Sequence, residues 1–162
     1  MPWSLEVQVG RKTAVYVDES GFPTSNLRRY AYAPKGICVR DKISGSHRYE
    51  STSLMVSARI GDNFTAPVLF QGASDALAFN AWLEHQLCPL LDETHVVIMD
   101  NASFHKGAET ETRLIAATGA SLLFLPPYSP ELNPIEKDFA NIKRRYQYNP
   151  ETSIEQIIKV YN

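Results

Sequence analysis

Three acidic residues stand where buried segments of this sequence would end or begin. Asp18 follows the apolar-rich residues 15–17, Asp100 follows the apolar run 96–99, and Glu136 lies in the first turn of a segment with helical periodicity. Carboxylates that are brought together raise one another's pKa unless a cation lies between them. Mg²⁺ takes carboxylate oxygens as ligands, keeps several waters and binds substrate phosphate oxygens. The three residues therefore predict a magnesium site, and two such ions can stabilise the attacking and leaving oxygens of a phosphodiester bond.

Each of the three residues also has a structural explanation. An Asp at a strand end often forms a turn or caps the next helix. A Glu in the first turn of a helix is favoured by the helix dipole alone. Only the joint placement of the three residues favours metal binding, so on these grounds both interpretations stay open.

The elements that must position these residues are predicted from the spacing of apolar residues. Strands are predicted over residues 13–20, 52–60, 65–72, 94–100 and 121–127. Helices are predicted over residues 74–91, 107–119, 133–146 and 153–161, the third with Asn133 as its N-cap and Pro134 in its first turn. Residues 21–26 are expected to end the first strand, residues 61–63 to form a hairpin turn, and residues 27–51 to form a long loop or loose hairpin.

The order of these elements predicts an α/β fold. Three strands precede the first helix as a meander, and the later strands alternate with helices, as parallel crossovers do. The result is a mixed sheet with helices on both faces. If the strands that lead to Asp18 and Asp100 are parallel neighbours, both carboxylates lie at the same edge of the sheet, where sites gather in such folds.

Composition limits the class of protein. The chain has 162 residues, 44% of them hydrophobic and 21% charged, which suits one globular domain spanning residues 1–162. The net charge of −2 is less basic than that of most free-standing nucleic-acid binders. No apolar run is long enough to span a membrane, and the first residues lack a signal-peptide core. Cys38 and Cys88 have no redox or metal spacing, so we expect a cytoplasmic protein with reduced thiols.

Three sequence blocks resemble the signature blocks of a known family. YVDESGF (16–22), MDNASFHK (99–106) and LPPYSPELNPIE (125–136) are similar to those of DDE-superfamily transposases, and more closely to the bacterial insertion-sequence-630 group allied to the mariner elements. The acidic residues of that family fall on Asp18, Asp100 and Glu136. The segment 101–135 separates the last two by 35 residues, a spacing similar to that of the D-D-35-E class.

The resemblance implies a ribonuclease-H-like fold and a metal-dependent DNA recombinase. It implies Mg²⁺, with Mn²⁺ as a substitute and two ions per site, held by the three carboxylates. The expected reaction is hydrolysis at the ends of the element, after which the freed 3′ hydroxyl attacks target DNA with no covalent protein–DNA intermediate. Relatives favour a TA target and act as a dimer on DNA.

One departure from the family concerns the start of the chain. Full-length relatives carry a helix-turn-helix region that binds the terminal repeats, whereas this chain begins just before the first catalytic strand. We therefore expect a catalytic domain alone, which is either a fragment or one half of a split gene that works with a separate helix-turn-helix polypeptide.

Further candidates lie near the acidic residues. Asn101 and His105 flank Asp100 and could touch a phosphate, the attacking water or the metal ligands. Candidate contacts to DNA phosphates are Arg28, Arg29 and the basic residues that follow them, Lys35, Arg40, Lys42, Arg48 and Arg59. Glu19 should point to the opposite face of the sheet from Asp18, because strand side chains alternate.

Two other functions stay open at this stage. The chain could be a ribonuclease-H-like nuclease that nicks DNA without strand transfer. It could also be a non-catalytic remnant that binds DNA or a partner half. The three intact acidic positions favour an enzyme, and the missing start favours a remnant.

Overall fold

Five strands form one sheet. The structure is a computed structural model and describes residues 11–23, 35, 52–71, 76–100, 108–126, 129–149 and 151–161. The strands are β1 (Thr13–Pro23), β2 (Thr52–Ile60), β3 (Asn63–Gln71), β4 (His95–Met99) and β5 (Ser121–Phe124). Their order across the sheet is β3-β2-β1-β4-β5. The β1–β2 and β2–β3 pairs are antiparallel, and the β1–β4 and β4–β5 pairs are parallel. The predicted meander followed by parallel crossovers is therefore confirmed.

Four α-helices in the described part of the chain cover the sheet. They are α1 (Ala76–Trp82), α2 (Ala108–Ala117), α3 (Ile135–Tyr148) and α4 (Ile154–Lys159). After α1 the chain continues through a π-helical turn, Leu83–Leu87, and a 3₁₀ turn, Cys88–Leu90. No helix in the described part of the chain is both long and apolar enough to cross a bilayer.

The alternation of side chains along β1 separates two cores. Val15 and Val17 face a core on the side of α1 and α2, whose other members include Phe79, Trp82, Leu83 and Ile115. Tyr16 and Phe22 face a core on the side of α3 and α4, whose other members include Ile135, Phe139, Ile142 and Ile157. Helices on both faces, as predicted, thus follow from burying both sides of the central strands.

Three of the differences from the sequence prediction have a clear physical cause. β1 does not stop at residue 20, because Gly21, Phe22 and Pro23 still pair with β2 and Phe22 is fully buried. The hairpin turn contains two residues, Gly61 and Asp62, rather than three, and Gly61 adopts a left-handed φ of 57°. The helix predicted over 74–91 loses its regular pitch after α1, since Pro89 has no amide hydrogen and its ring would clash within an α-helix.

An irregularity in β3 is held in place by two side chains. Ala66 has a positive φ of 50°, and the register between β2 and β3 shifts beside it. The Trp82 indole Nε1–H donates to the Ala66 carbonyl oxygen at 2.8 Å, and the Ser57 hydroxyl donates to the Thr65 carbonyl oxygen at 2.9 Å. These bonds satisfy carbonyls that the shifted ladder would leave unpaired.

Replacing Trp82 with phenylalanine should lower the free energy of unfolding by about 2 kcal/mol, because the Ala66 carbonyl loses its donor and the core loses volume. Urea denaturation measures this loss. Leu77→Ala is the matched control on the same helix, because Leu77 is 78% exposed and should change stability little. An equal effect of the two substitutions would contradict the role given to the indole.

Candidate active site

Asp18 and Asp100 lie side by side at one edge of the parallel strand pair. β1 and β4 pair in parallel, and their last paired residues are Val17 and Met99. Asp18 and Asp100 come directly after that pair. Asp18 does not end its strand as expected, however, because β1 continues past it against β2, where Asp18 pairs with Ser57.

The two aspartates continue the face of the sheet that α3 covers. Tyr16 and Ile98 precede them by two residues on the paired strands, and they pack together in a smaller apolar cluster on that side; Tyr16 also packs against the core that α3 covers. The first turn of α3 carries Glu136 over the same face, because Ile135 and Phe139 are buried against it. Three acidic residues from distant parts of the chain therefore reach the same region.

The Asp18 carboxylate is half-buried and held at both oxygens. Its Oδ1 accepts a hydrogen bond from the Glu19 backbone N–H at 2.7 Å, and its Oδ2 accepts one from the Asn133 side-chain Nδ2–H at 3.0 Å. The pKa of Asp18 is raised to about 7, mainly by burial; the charges of Glu136 and Asp100 act in the same direction, and the Glu19 hydrogen bond acts against them. A hydrogen-bonding contact with Glu136 acts in the same direction as those charges.

These carboxylates suit a hard divalent cation. All three supply oxygen ligands, and burial, followed by the charges of Glu136 and Asp100, raises the pKa of Asp18, so a bound cation would favour its charged form. The three carboxylates are not yet arranged as a metal site. Within the described residues, no group of three or more His, Cys, Asp or Glu side chains is placed to hold a metal ion. Asp100 and Glu136 are both exposed, and Glu136 also contacts the Asp18 carboxyl.

Asn133 is a site residue that the sequence analysis missed. It was predicted to cap the third helix, but α3 has no side-chain cap and the Asn133 side chain instead bonds to Asp18. Asn133 is 4% exposed, and its backbone carbonyl accepts the N–H of Glu136 at 3.2 Å. The only sequence signal at this position was the Asn-Pro pair, and helix capping by Asn133 already explained that pair without a contact to Asp18.

Glu19 lies on the other face of the sheet, as strand alternation predicted. The pKa of its carboxyl is raised to about 7, mainly by burial, with the charges of Asp18 and of Glu111 on α2 acting in the same direction. Glu19 therefore belongs to the α2 side of the sheet and not to the region where the three acidic residues meet.

A partly buried ion pair fixes α3 to the sheet two residues beyond Glu136. The Arg59 Nη1 on β2 donates to Asp138 Oδ2 at 2.7 Å, and the Tyr161 hydroxyl donates to Asp138 Oδ1 at 2.9 Å. Arg59 also donates to the exposed Asp62 at 3.2 Å. This network sets the position of α3, which carries Glu136 and begins two residues after Asn133.

Replacing Asp138 with asparagine should lower the free energy of unfolding by about 2–3 kcal/mol, because it leaves the Arg59 guanidinium without its buried counter-charge. Chemical denaturation at pH 7.5 measures the loss. Asp62→Asn is the matched control, since it removes an exposed carboxylate from the same guanidinium and should have little effect. Equal losses in the two variants would rule out the anchoring role of Asp138.

A cavity of about 500 Å³ opens beside this network, between the β2–β3 turn and the later part of α3. Its lining includes Asp138 and Tyr161 but does not include Asp18, Asp100 or Glu136. It is therefore separate from the candidate active site.

Of the basic candidates, Arg59 is described and pairs with Asp138 and Asp62. Seven other candidate residues lie outside the described residues: Asn101 and His105, which follow Asp100, and the basic residues Arg28, Arg29, Arg40, Lys42 and Arg48. Their roles stay predictions.

Comparison with known proteins gives the family. A family model described as a DDE superfamily endonuclease matches residues 13–158. The chain belongs to this family. The matched range includes Asp18, Asp100 and Glu136. None of the curated proteins compared with the chain matches it.

Solved structures share the fold. The Mos1 strand transfer complex has a TM-score of 0.69 and 18% identity, covering 97% of this chain and 49% of that chain. The mariner Mos1 paired-end complex with Mg has a TM-score of 0.67 and 18% identity, covering 97% and 50%. A simian T-cell lymphotropic virus intasome, in complex with the PP2A regulatory subunit B56 gamma, has a TM-score of 0.56 and 9% identity, covering 91% and 46%.

These likenesses establish the fold alone, because the identities are low. They confirm the α/β, ribonuclease-H-like mixed sheet predicted from the sequence. The chain spans about half the length of the solved structures it matches.

Proposed function

We propose that this chain is the catalytic domain, residues 1–162, of a DDE transposase that cuts transposon-end DNA and joins it to target DNA. The observation that carries the proposal is the meeting of Asp18 and Asp100, at adjacent ends of parallel strands, with Glu136 on the helix above them. Membership of the DDE superfamily endonuclease family supports it. The third block, LPPYSPELNPIE, further supports placement in the insertion-sequence-630 group.

The metal we propose is Mg²⁺, with Mn²⁺ as a substitute and two ions per site. Asp18, Asp100 and Glu136 would hold it. When bound, Mg²⁺ polarises the phosphate and offsets charge on the attacking and leaving oxygens. Other residues of the chain hold these ligands in place. The Glu19 N–H and the Asn133 amide orient the Asp18 carboxylate, and the Arg59–Asp138 pair holds the helix that carries Glu136.

The proposed reaction has two displacements at phosphorus. In the first, a water oxygen bonds to phosphorus and loses a proton, while the bond to the 3′ oxygen breaks and that oxygen gains a proton. The products are a 3′ hydroxyl and a 5′ phosphate. In the second, the new 3′ hydroxyl attacks a target phosphate, and the 3′ oxygen of the target leaves with a proton. The second step makes one phosphodiester bond for each one broken, so it needs no energy source.

The proposed partners are transposon-end DNA, target DNA and a second copy of the chain on that DNA. The related Mos1 structures are described as a strand transfer complex and a paired-end complex. We also propose a separate helix-turn-helix polypeptide as the part that binds the terminal repeats, and the bacterial cytoplasm as the location. Arg28 and Arg29 are proposed contacts to DNA phosphates, and Asn101 and His105 are proposed supports beside Asp100.

The test uses a plasmid that carries the chain's own coding sequence with its flanking DNA, and protein expressed from that same locus so that any partner polypeptide is included. Incubation with Mg²⁺ or Mn²⁺ should give cut ends and joined products, which sequencing detects. Nicks without joined products would replace the proposal by the nuclease alternative. No metal-dependent change in the DNA would replace it by the non-catalytic alternative.

A further inference from the structure

Asn133 connects two acidic residues that are more than a hundred positions apart in the chain. Its side-chain Nδ2–H donates to Asp18 Oδ2 at 3.0 Å, and its backbone carbonyl accepts the Glu136 N–H at 3.2 Å. The first contact reaches the central strand, and the second lies at the start of α3. Asn133 is therefore the described residue that bonds to both acidic residues at once.

We propose that Asn133 is a positioning residue that aims the Asp18 carboxylate at a bound metal ion and sets its relation to Glu136. The inference rests on the proposed function, because aiming matters only if Asp18 is a ligand.

The burial of Asn133 argues against a purely structural role. The residue is 4% exposed, and its Oδ1 is buried without a hydrogen-bond partner among the described residues. A buried amide that makes only part of its hydrogen bonds destabilises a fold, and an apolar side chain of similar size would pack there without that cost. Helix capping does not explain the residue either, because α3 has no side-chain cap.

The chemistry of an amide suits this position. A lysine or arginine beside Asp18 would also donate a hydrogen bond, but its charge would compete with a metal cation. A neutral amide orients the carboxylate and leaves its charge in place. Apart from its contact with Glu136, Asp18 accepts one hydrogen bond at each oxygen, from Glu19 at Oδ1 and from Asn133 at Oδ2, and neither of these two bonds uses more than one lone pair of an oxygen.

The first measurement is the NMR signal of the Asn133 side-chain amide in the metal-free protein. One of its two amide protons should be protected from exchange with water, and Asp18→Ala should remove that protection. An amide that exchanges equally fast in both proteins would overturn the inference, because the contact to Asp18 would then be absent in solution.

The second measurement is the Mn²⁺ concentration that half-saturates the protein, followed by water-proton relaxation. Asn133→Leu should raise that concentration about 10–100-fold, the usual effect of losing a group that orients a metal ligand. DNA cleavage by this variant should recover at saturating Mn²⁺, since the metal ligands themselves are intact. If Asn133→Leu does not fold, Asn133→Ala removes the same donor without adding bulk.

The control is Asn141→Leu, the same substitution at an exposed position of α3, which should bind Mn²⁺ like the unaltered protein. Unchanged half-saturation in the folded Asn133 variant would overturn the positioning role while the proposed function stands. Absence of Mn²⁺ binding by the unaltered protein, both alone and with DNA, would overturn the proposed function itself.

Discussion

Asp18→Asn, Asp100→Asn and Glu136→Gln should each lower the rate of Mg²⁺-dependent DNA cleavage by about 10³-fold or more. Each substitution keeps the size of the side chain but removes a negative charge from the proposed metal site. Stabilisation of the attacking and leaving oxygens by bound metal contributes several kcal/mol to such reactions, and each 1.4 kcal/mol corresponds to a factor of ten. The rate is measured from the loss of intact plasmid at saturating DNA.

Two other acidic residues provide matched controls. Glu131→Gln lies in the same sequence block as Glu136 and is exposed, and Asp62→Asn lies at the β2–β3 turn. Both should cleave at nearly the unaltered rate. A variant of Asp18, Asp100 or Glu136 that cleaves as fast as these controls would remove that residue from the catalytic set.

Asp18→Asn should also make the protein more stable at pH 8, by about 2–4 kcal/mol in the absence of metal. The pKa of Asp18 rises on folding from its ordinary value of 3.8 to about 7, mainly because burial disfavours the charged carboxylate. Between these values the folded protein holds a proton that the unfolded chain has released. The stability of the unaltered protein therefore falls as pH rises from about 4 to 7, and asparagine has no such proton to lose.

Denaturant unfolding of both proteins at a series of pH values tests this prediction. The advantage of Asp18→Asn should be small near pH 4 and reach its full size above pH 7. The substitution should also lower the pKa of Glu19, which is raised in part by the charge on Asp18. Added Mg²⁺ should stabilise the unaltered protein at pH 8 more than the variant, because it binds the folded site. If the free energies of unfolding of the two proteins change with pH in the same way, the charged Asp18 carboxylate does not destabilise the folded protein, and the prediction is wrong.

Asp18 and Asp100 were predictable because their placement follows from local patterns and one general rule. The apolar runs before them define buried strands, and a crossover through a helix makes such strands parallel. The pairing of Val17 with Met99 then puts the two aspartates together. The buried stripe of α3, with Ile135, Phe139 and Ile142, was likewise visible in the helical spacing.

The residues that support the site were not predictable in the same way. The Arg59–Asp138 pair joins positions 79 residues apart, and no local pattern matches these two charges. For Asn133, a helix-capping rule competed with a tertiary hydrogen bond, and the tertiary bond prevailed.

The end of β1 was mispredicted for a similar reason. Glycine and proline at positions 21 and 23 normally break a strand. After Val17, however, β1 no longer pairs with β4 and has a described neighbour only in β2. A proline is tolerated at such a one-sided position, because its missing N–H leaves no ladder bond unmade on the open side.

The most direct test of the central claim is an anomalous difference map from a crystal of the protein grown with a DNA end and soaked in Mn²⁺. The account predicts a Mn²⁺ peak bound by Asp18 and Asp100, with the Glu136 carboxylate within reach of it and the Asn133 amide still on Asp18. Ordered carboxylates that point away from one another, with DNA present and no Mn²⁺ peak between them, would contradict it.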